Sequence, residues 1–250
     1  MEASVSHSDA TPSSRSLCAQ GKKKNIQSLE RGFLILELLS MSESPLSLQT
    51  ISNVIQLNKT TVHGLLATLH SLGYVSKHNH SYSLGFRCYE LSKPIEQKNE
   101  AIRQHFVPLL KKMAQMTNNT AYLAVQSGAK EYLYIDAIEQ DNPLTIRSPR
   151  GKREGLTTSA IGKVFLSFDN ELRRTLRLES QISPTLETEL NQVVLSGYAL
   201  DLEEAEPNLN CLAIPLYLDG KVVAVAGVSG AASELTVTRL KHFASIFLKL

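Results

Sequence analysis

The stretch of this chain that most constrains its fold is 57–72, LNKTTVHGLLATLHSL. Val62, Leu65, Leu66, Leu69 and Leu72 recur at helical spacing and form one apolar stripe. Asn58 stands where a side-chain oxygen accepts a free N–H of the first helical turn. The opposite face holds Thr60, Thr61, Gly64, Ala67, Thr68 and Ser71, with Lys59 and His63 beside them. A solvated helix face carries long charged side chains. A face of hydroxyls and small residues instead lets the helix backbone come close to another body, and the floor of a DNA major groove has that shape. The same pattern fits a plain surface helix, so the neighbouring segments decide between the two.

Those neighbours favour DNA. Residues 28–41 read as a helix capped by Ser28, with Glu30 near its positive end and Leu29, Phe33, Leu36 and Leu39 as its buried stripe. Ser44-Pro45 breaks the chain, and 47–55 reads as a short helix capped by Ser47, with Leu48, Ile51 and Ile55 inward. Gln56-Leu57-Asn58 is a tight turn into the candidate recognition helix. Two helices joined by a three-residue turn behind a supporting helix make a helix-turn-helix. Gly73 closes the recognition helix. Two short strands, 74–75 and 82–84, then flank a polar tip, 76–81, as a wing. The candidate DNA-binding residues are Ser47, Gln49, Asn58, Lys59, Thr60, Thr61, His63, Gly64, Thr68, Lys77 and His78. His78 and His80 are spaced as a His-x-His pair, but no third ligand stands nearby and no metal is assigned.

Charge follows the same division. Residues 1–93 hold 9 Lys and Arg against 6 Asp and Glu, and 94–250 hold 17 against 18. The positive excess lies in the half that would meet phosphates. The Ser-rich 1–25 segment, with Lys22, Lys23 and Lys24 at its end, reads as a disordered tail with nothing to bury. It has no apolar core before a cleavage site, so no secretory signal is expected. No apolar run spans a bilayer, so no membrane partner is expected. Cys18, Cys88 and Cys211 form neither a CxxC pair nor a disulfide framework, which points to a reducing cytoplasm.

Residues 86–99 read as a connector, partly helical around 88–91 and interrupted at Pro94. A longer helix over 100–116 opens a second domain. Beyond it, strands over 121–126 and 131–138 flank Ser127-Gly128, a hairpin signal. A short strand over 144–147 follows, then helices over 159–168, 171–178 and 184–195. Strands over 211–217 and 221–228 meet at Asp219-Gly220, the strongest hairpin signal in the chain. A helix over 235–250 closes it. This order predicts an antiparallel sheet with helices packed on it, an α+β fold.

Taken in order, Ile26-Gln27-Ser28-Leu29-Glu30-Arg31-Gly32, Asn58-Lys59-Thr60-Thr61-Val62-His63, Leu72-Gly73-Tyr74-Val75, Tyr82-Ser83-Leu84-Gly85, Gly197-Tyr198-Ala199-Leu200-Asp201, Cys211 and Ser229-Gly230 resemble the IclR family of bacterial transcriptional regulators. The resemblance covers 26–250. It implies a winged helix-turn-helix over 26–85, a linker helix over 86–99, and a GAF-like effector-binding and oligomerisation domain over 100–250. It also implies homodimers, often paired into homotetramers, that bind double-stranded DNA.

The effector site has a bottom-up candidate as well. Residues 156–163 start a helix, and its free N–H groups and positive dipole end suit a small-molecule carboxylate. Ala160 and Gly162 keep the approach open, and Thr158 and Ser159 bring hydroxyls. A Thr/Ser cluster before a helix is also an ordinary cap. By position, the resemblance implies that the backbone amides of Ala160 and Ile161 meet the effector carboxylate, and that Asp201, Cys211 and Ser229 complete the pocket. Three positions depart from the family pattern: Gly227 where a second serine can occur, Thr157 where His is frequent, and Gly64 where Arg is frequent. The expected function is an effector-controlled repressor of a catabolic operon, with an activator or a ligand-independent DNA-binding oligomer as the alternatives. No cofactor is expected. An enzyme is not expected either, because the chain lacks a dinucleotide loop, a P-loop, a G-x-S-x-G elbow and a metal cluster.

Overall fold

The computed structural model describes residues 26–140 and 151–250. The Ser-rich tail with its lysine run, Cys18, and the strand expected over 144–147 lie outside the described residues. The chain divides into two units, Met1–Lys93 and Pro94–Leu250.

In the first unit, α1 (Gln27–Ser40) precedes a short strand β1 (Leu46–Ser47), then α2 (Leu48–Val54) and α3 (Lys59–Ser71), and the hairpin β2 (Val75–His78) and β3 (Ser81–Leu84). Ile35, Leu39, Ile51, Val62, Leu66, Val75 and Tyr82 form its core. The two capping residues of the helix-turn-helix sit where they were expected. The Ser47 side chain accepts from Thr50 N, and the Asn58 side chain accepts from Thr61 N. The turn between them is closed by Ser52, whose hydroxyl donates to Leu57 O at 2.6 Å, with Gln56 at φ 54°.

Several local expectations change. Helix α1 turns a different side inward: Gly32, Ile35 and Leu39 are buried, while Leu29 and Phe33 are each 57% exposed. The segment Phe33–Leu39 is apolar nearly all round, so periodicity does not choose the buried side. The N-cap of α1 is Ile26, without a side-chain hydrogen bond, rather than Ser28. Leu72 ends the recognition helix 55% exposed instead of completing its stripe. The wing strands run longer than expected, pairing Val75 with Leu84 through His78 with Ser81, so the tip shrinks to Asn79-His80. Strand β1 pairs with β3 and makes this sheet three-stranded, in the order β1-β3-β2.

The connector expected over 86–99 is helical throughout and continuous with the helix expected over 100–116. A single helix α4 (Phe86–Thr117) runs through both Pro94 and Pro108. An internal proline costs one hydrogen bond and about 3 kcal/mol. Here α4 is anchored at its start, where Gly85 N donates to Tyr74 O and Arg87 N donates to Gly73 O. Toward its end, Ile102, Phe106, Leu110, Met113 and Ala114 are buried in the second unit's core.

That second unit is built on a six-stranded antiparallel sheet, in the order β6-β5-β4-β9-β8-β7. The strands are β4 (Thr120–Ser127), β5 (Glu131–Ile138), β6 (Arg153–Gly155), β7 (Ala199–Leu202), β8 (Leu209–Leu218) and β9 (Lys221–Ala231). The edge strands β6 and β7 were not expected; three or four residues leave little alternation to read. One face packs Leu123, Leu212, Ile214, Ala226 and Val228 against α4 and α8 (Val237–Phe247). The other face packs Tyr122, Ala124, Tyr132, Ala213 and Val225 against α5 (Ala160–Phe168), α6 (Asn170–Leu178) and α7 (Pro184–Ser196). The architecture is α+β, with helices on both faces of the larger sheet.

Candidate functional site

Two sites follow, one in each unit. In the first, α3 leaves Lys59, Thr60, His63, Gly64, Ala67, Thr68 and Ser71 exposed, with Thr61 half-buried, while Val62 and Leu66 are fully buried beneath them. The slim face therefore stands open to solvent. Nothing lies within 4 Å of where a Cβ on Gly64 would stand. Thr68 Oγ1 donates to Gly64 O at 3.0 Å, and Ser71 Oγ donates to Thr68 O at 2.8 Å. With its proton engaged on its own helix, Thr68 has its methyl group and an oxygen lone pair left to offer. Ser47 and Asn58 are likewise engaged as caps, and Gln49 Nε2 donates to Asn53 Oδ1 at 2.7 Å. Lys77 and His78 are exposed on β2 rather than in a loop, with Lys77 Nζ 5.7 Å from the Tyr82 ring centroid. Among the described residues, no three His, Cys, Asp or Glu side chains gather as a metal site.

In the second unit, Thr158, Ser159, Ala160, Ile161, Asp201, Cys211 and Ser229 all line one cavity of about 290 Å³. Four separate segments supply them, the start of α5 and the strands β7, β8 and β9, and two features bring them together. The first is the start of α5. Ser159 caps it by accepting from Gly162 N at 3.1 Å. The amides of Ala160 and Ile161, at the first two helical positions, have no intrahelical acceptor. The second is strand register. Asp201 pairs with Cys211, and Cys211 with Ser229, so one row crosses β7, β8 and β9.

The row is internally bonded. Cys211 Sγ donates to Ser229 Oγ at 3.3 Å. Burial pushes the Cys211 thiol up to about 12, so it is a thiol and not a thiolate at neutral pH. Asp201 Oδ1 accepts from Glu204 N at 2.9 Å and Ala205 N at 3.2 Å, fixing the loop whose Ala205 and Glu206 also line the cavity. Lys163, only 2% exposed, ties the same loop to α5: its Nζ donates to Glu204 Oε1 at 2.5 Å and lies 3.0 Å from Glu189. Burial alone would lower the Lys163 pKa, but the two glutamates outweigh it and hold it above the ordinary lysine value.

Gly162 does not keep the approach open. A Cβ there would stand 2.4 Å from Leu156 O, so this glycine is required for packing the loop onto the helix. At Gly227, Ile161 fills the space that a serine side chain would take, 3.1 Å from the Cβ position. Sequence reasoning missed Tyr122, Tyr132, Tyr134, Lys152, Glu154 and Glu206, which also line the cavity. The alternation of Tyr132 and Tyr134 on β5 was the available signal, since residues i and i+2 share a face.

The model of the "IclR helix-turn-helix domain" matches residues 28–78, and that of the "Bacterial transcriptional regulator IclR C-terminal" matches 97–250. The chain is 31% identical over 232 residues to the HTH-type transcriptional regulator XynR of Escherichia coli K12, covering 87% of this chain and 91% of that protein. It is 28% identical over 231 residues to the HTH-type transcriptional repressor AllR of the same organism, covering 87% and 84%. Among solved structures, the Thermotoga maritima IclR shares 25% identity at a TM-score of 0.59, covering 90% and 95%. An IclR homologue of Microbacterium hydrocarbonoxydans, complexed with 4-hydroxybenzoate, has the same fold at a TM-score of 0.67 and 18% identity, covering 88% and 97%.

Proposed function

Because the chain belongs to the IclR family of bacterial transcriptional regulators, and is therefore a DNA-binding regulator rather than an enzyme, we propose that it is an effector-controlled repressor of catabolic genes. In this reading residues 26–85 bind the operator, 86–99 link, and 100–250 bind a small organic or sugar acid and self-associate. The protein acts in the cytoplasm, where its DNA lies. Residues Lys59, Thr60, Thr61, His63, Gly64 and Thr68 on α3 enter the major groove, supported by Ser47, Gln49 and Asn58, and Lys77 and His78 of the wing reach the backbone. The amides of Ala160 and Ile161 hold the effector carboxylate, with Thr158 and Ser159 beside them. Asp201, Cys211 and Ser229 meet its remaining polar groups.

One observation carries the effector reading: seven residues chosen from four segments line a single cavity. A dimer is supported by apolar side chains left exposed on α1, Leu29 and Phe33, and on α4, Leu91 and Ile95. Ligand and DNA are then linked by a coupling of about 1–3 kcal/mol, which alters operator affinity about 5–150-fold.

The test uses DNA selected by the protein from a random pool. Thr61→Asp puts a negative charge against the duplex and is expected to abolish specific binding in a gel-shift titration with the fold intact. Asp201→Ala is expected to keep DNA binding and blunt its release by acids. Unchanged behaviour of both variants would remove the two assignments.

A further inference from the structure

The tyrosine wall of the cavity carries a finer reading, which rests on the cavity being the effector site. Tyr132 and Tyr134 project from one face of β5, and both line the cavity. Glu154, paired in register with Tyr132 on β6, accepts from the Tyr132 hydroxyl at 2.6 Å and from the Tyr134 hydroxyl at 2.9 Å, both on Oε2. Its Oε1 lies 3.1 Å from Lys152 Nζ. A carboxylate has lone pairs and no proton to give, and each phenol has one proton. The two hydroxyls also lie 3.1 Å from each other, where either can donate. Both phenol protons are thus engaged within the Tyr132–Tyr134–Glu154 group, and at least one is held by Glu154. The two oxygens and the carboxylate offer the cavity lone pairs only. The start of α5 is the opposite: it offers N–H groups and the positive end of the helix dipole. The cavity has a donor end and an acceptor wall.

We propose that Glu154, by anchoring the hydrogen-bonded group that engages both tyrosine protons, determines the specificity of the cavity: it selects carboxylic acids whose far end carries several hydroxyl groups over acids that end in a second carboxylate or a bare hydrocarbon. A ligand hydroxyl donates to this wall. A second carboxylate sets acceptor against acceptor, the repulsive element that specificity requires. A methyl end strips water from the wall's lone pairs and returns no donor. The charges agree: among the described lining residues, Lys152 is one cation against the three carboxylates of Glu154, Asp201 and Glu206.

The experiment titrates the full-length protein by calorimetry with chain-length-matched acids: erythronate, ribonate and gluconate against succinate, glutarate and adipate, with hexanoate and 6-aminohexanoate added. The unaltered protein is expected to prefer the hydroxylated acids by about tenfold or more. A preference for 6-aminohexanoate over hexanoate supports the same acceptor wall with an ammonium as donor. Glu154→Gln keeps the shape but supplies an amide donor and releases a phenol proton, and is expected to bring the two series within about twofold. Tyr134→Phe is the second variant, with circular dichroism confirming the fold of both; it is expected to weaken the hydroxylated acids and leave the dicarboxylates unchanged. Equal affinity of the two series for the unaltered protein, or an unchanged ratio in both variants, overturns the role of Glu154 and leaves the carboxylate end standing. Failure of every acid to bind overturns the effector reading itself, and this inference with it.

Discussion

Two glycines on helices show how opposite roles hide behind one residue type. At Gly162 a Cβ would stand 2.4–2.6 Å from the backbone of Leu156, which has no room to move away. Gly162→Ala is therefore expected to destabilise the second unit by about 1–3 kcal/mol, read as a lower midpoint in urea unfolding. At Gly64 nothing lies within 4 Å. Glycine within a helix costs roughly 0.5–1 kcal/mol relative to alanine, so a side chain here stabilises. Gly64→Arg is expected to raise the unfolding midpoint slightly and to steepen the salt dependence of DNA binding by about one further phosphate contact. An unchanged salt slope would show that this part of α3 does not approach the duplex. Both glycines are visible in the sequence, but neither role is, because each depends on whether folding fills the space beside it, as at Gly162, or leaves it open, as at Gly64.

Elements differ in how much of their fate is local. Helix α3 was readable because its cap, stripe and closing glycine all lie within 16 residues. Helix α4 was not, because backbone hydrogen bonds at its start and core burial toward its end outweigh the prolines within it. The pairing of α6 with α7 is another long-range decision. Glu187 on α7 accepts from Arg177 and Arg173 on α6, each at 2.5 Å. The Arg177 hydrogen bond, joined by Arg173 and the charges of both, holds the Glu187 carboxyl below its ordinary pKa. A lowered folded pKa contributes stability above the unfolded value, about 4.3 for glutamate. That stability is lost as pH falls through the lowered folded pKa. Because Arg177 is largely exposed, the contribution is small, about 0.2–1 kcal/mol. Glu187→Gln is expected to flatten the acid limb of the stability–pH curve and leave the alkaline limb untouched. The check is thermal unfolding from neutral pH into acid.

At the scale of the whole molecule, the exposed apolar side chains support the proposed self-association. Ile26, Leu29 and Phe33 on or beside α1, and Phe86, Tyr89, Leu91 and Ile95 on α4, are all exposed by about half or more. Residues 89–98 are exposed without a break. Clusters of large apolar side chains of this kind mark interaction surfaces, and a two-fold dimer uses one such patch twice. Phe33→Glu is expected to shift the protein toward monomer in sedimentation velocity. It is also expected to weaken DNA binding, because a monomer engages one half-site without the avidity of two. A dimer of undiminished strength would move the interface away from α1.

What the amino-acid order determined by itself was short-range: the Ser47, Asn58 and Ser159 caps, the α3 stripe, the Asp219-Gly220 hairpin and the residues that carry the family pattern. A cap or a turn is made by atoms a few bonds apart, so its signal survives without the rest of the fold. Tertiary structure decided which side of α1 is buried, the passage of α4 through its prolines, and the meeting of Glu154 with Tyr132 and Tyr134. It also decided the cavity row, because Asp201, Cys211 and Ser229 are neighbours only through strand register. Register is settled by the packing of both sheet faces, a sum over contacts that no local stretch of chain contains.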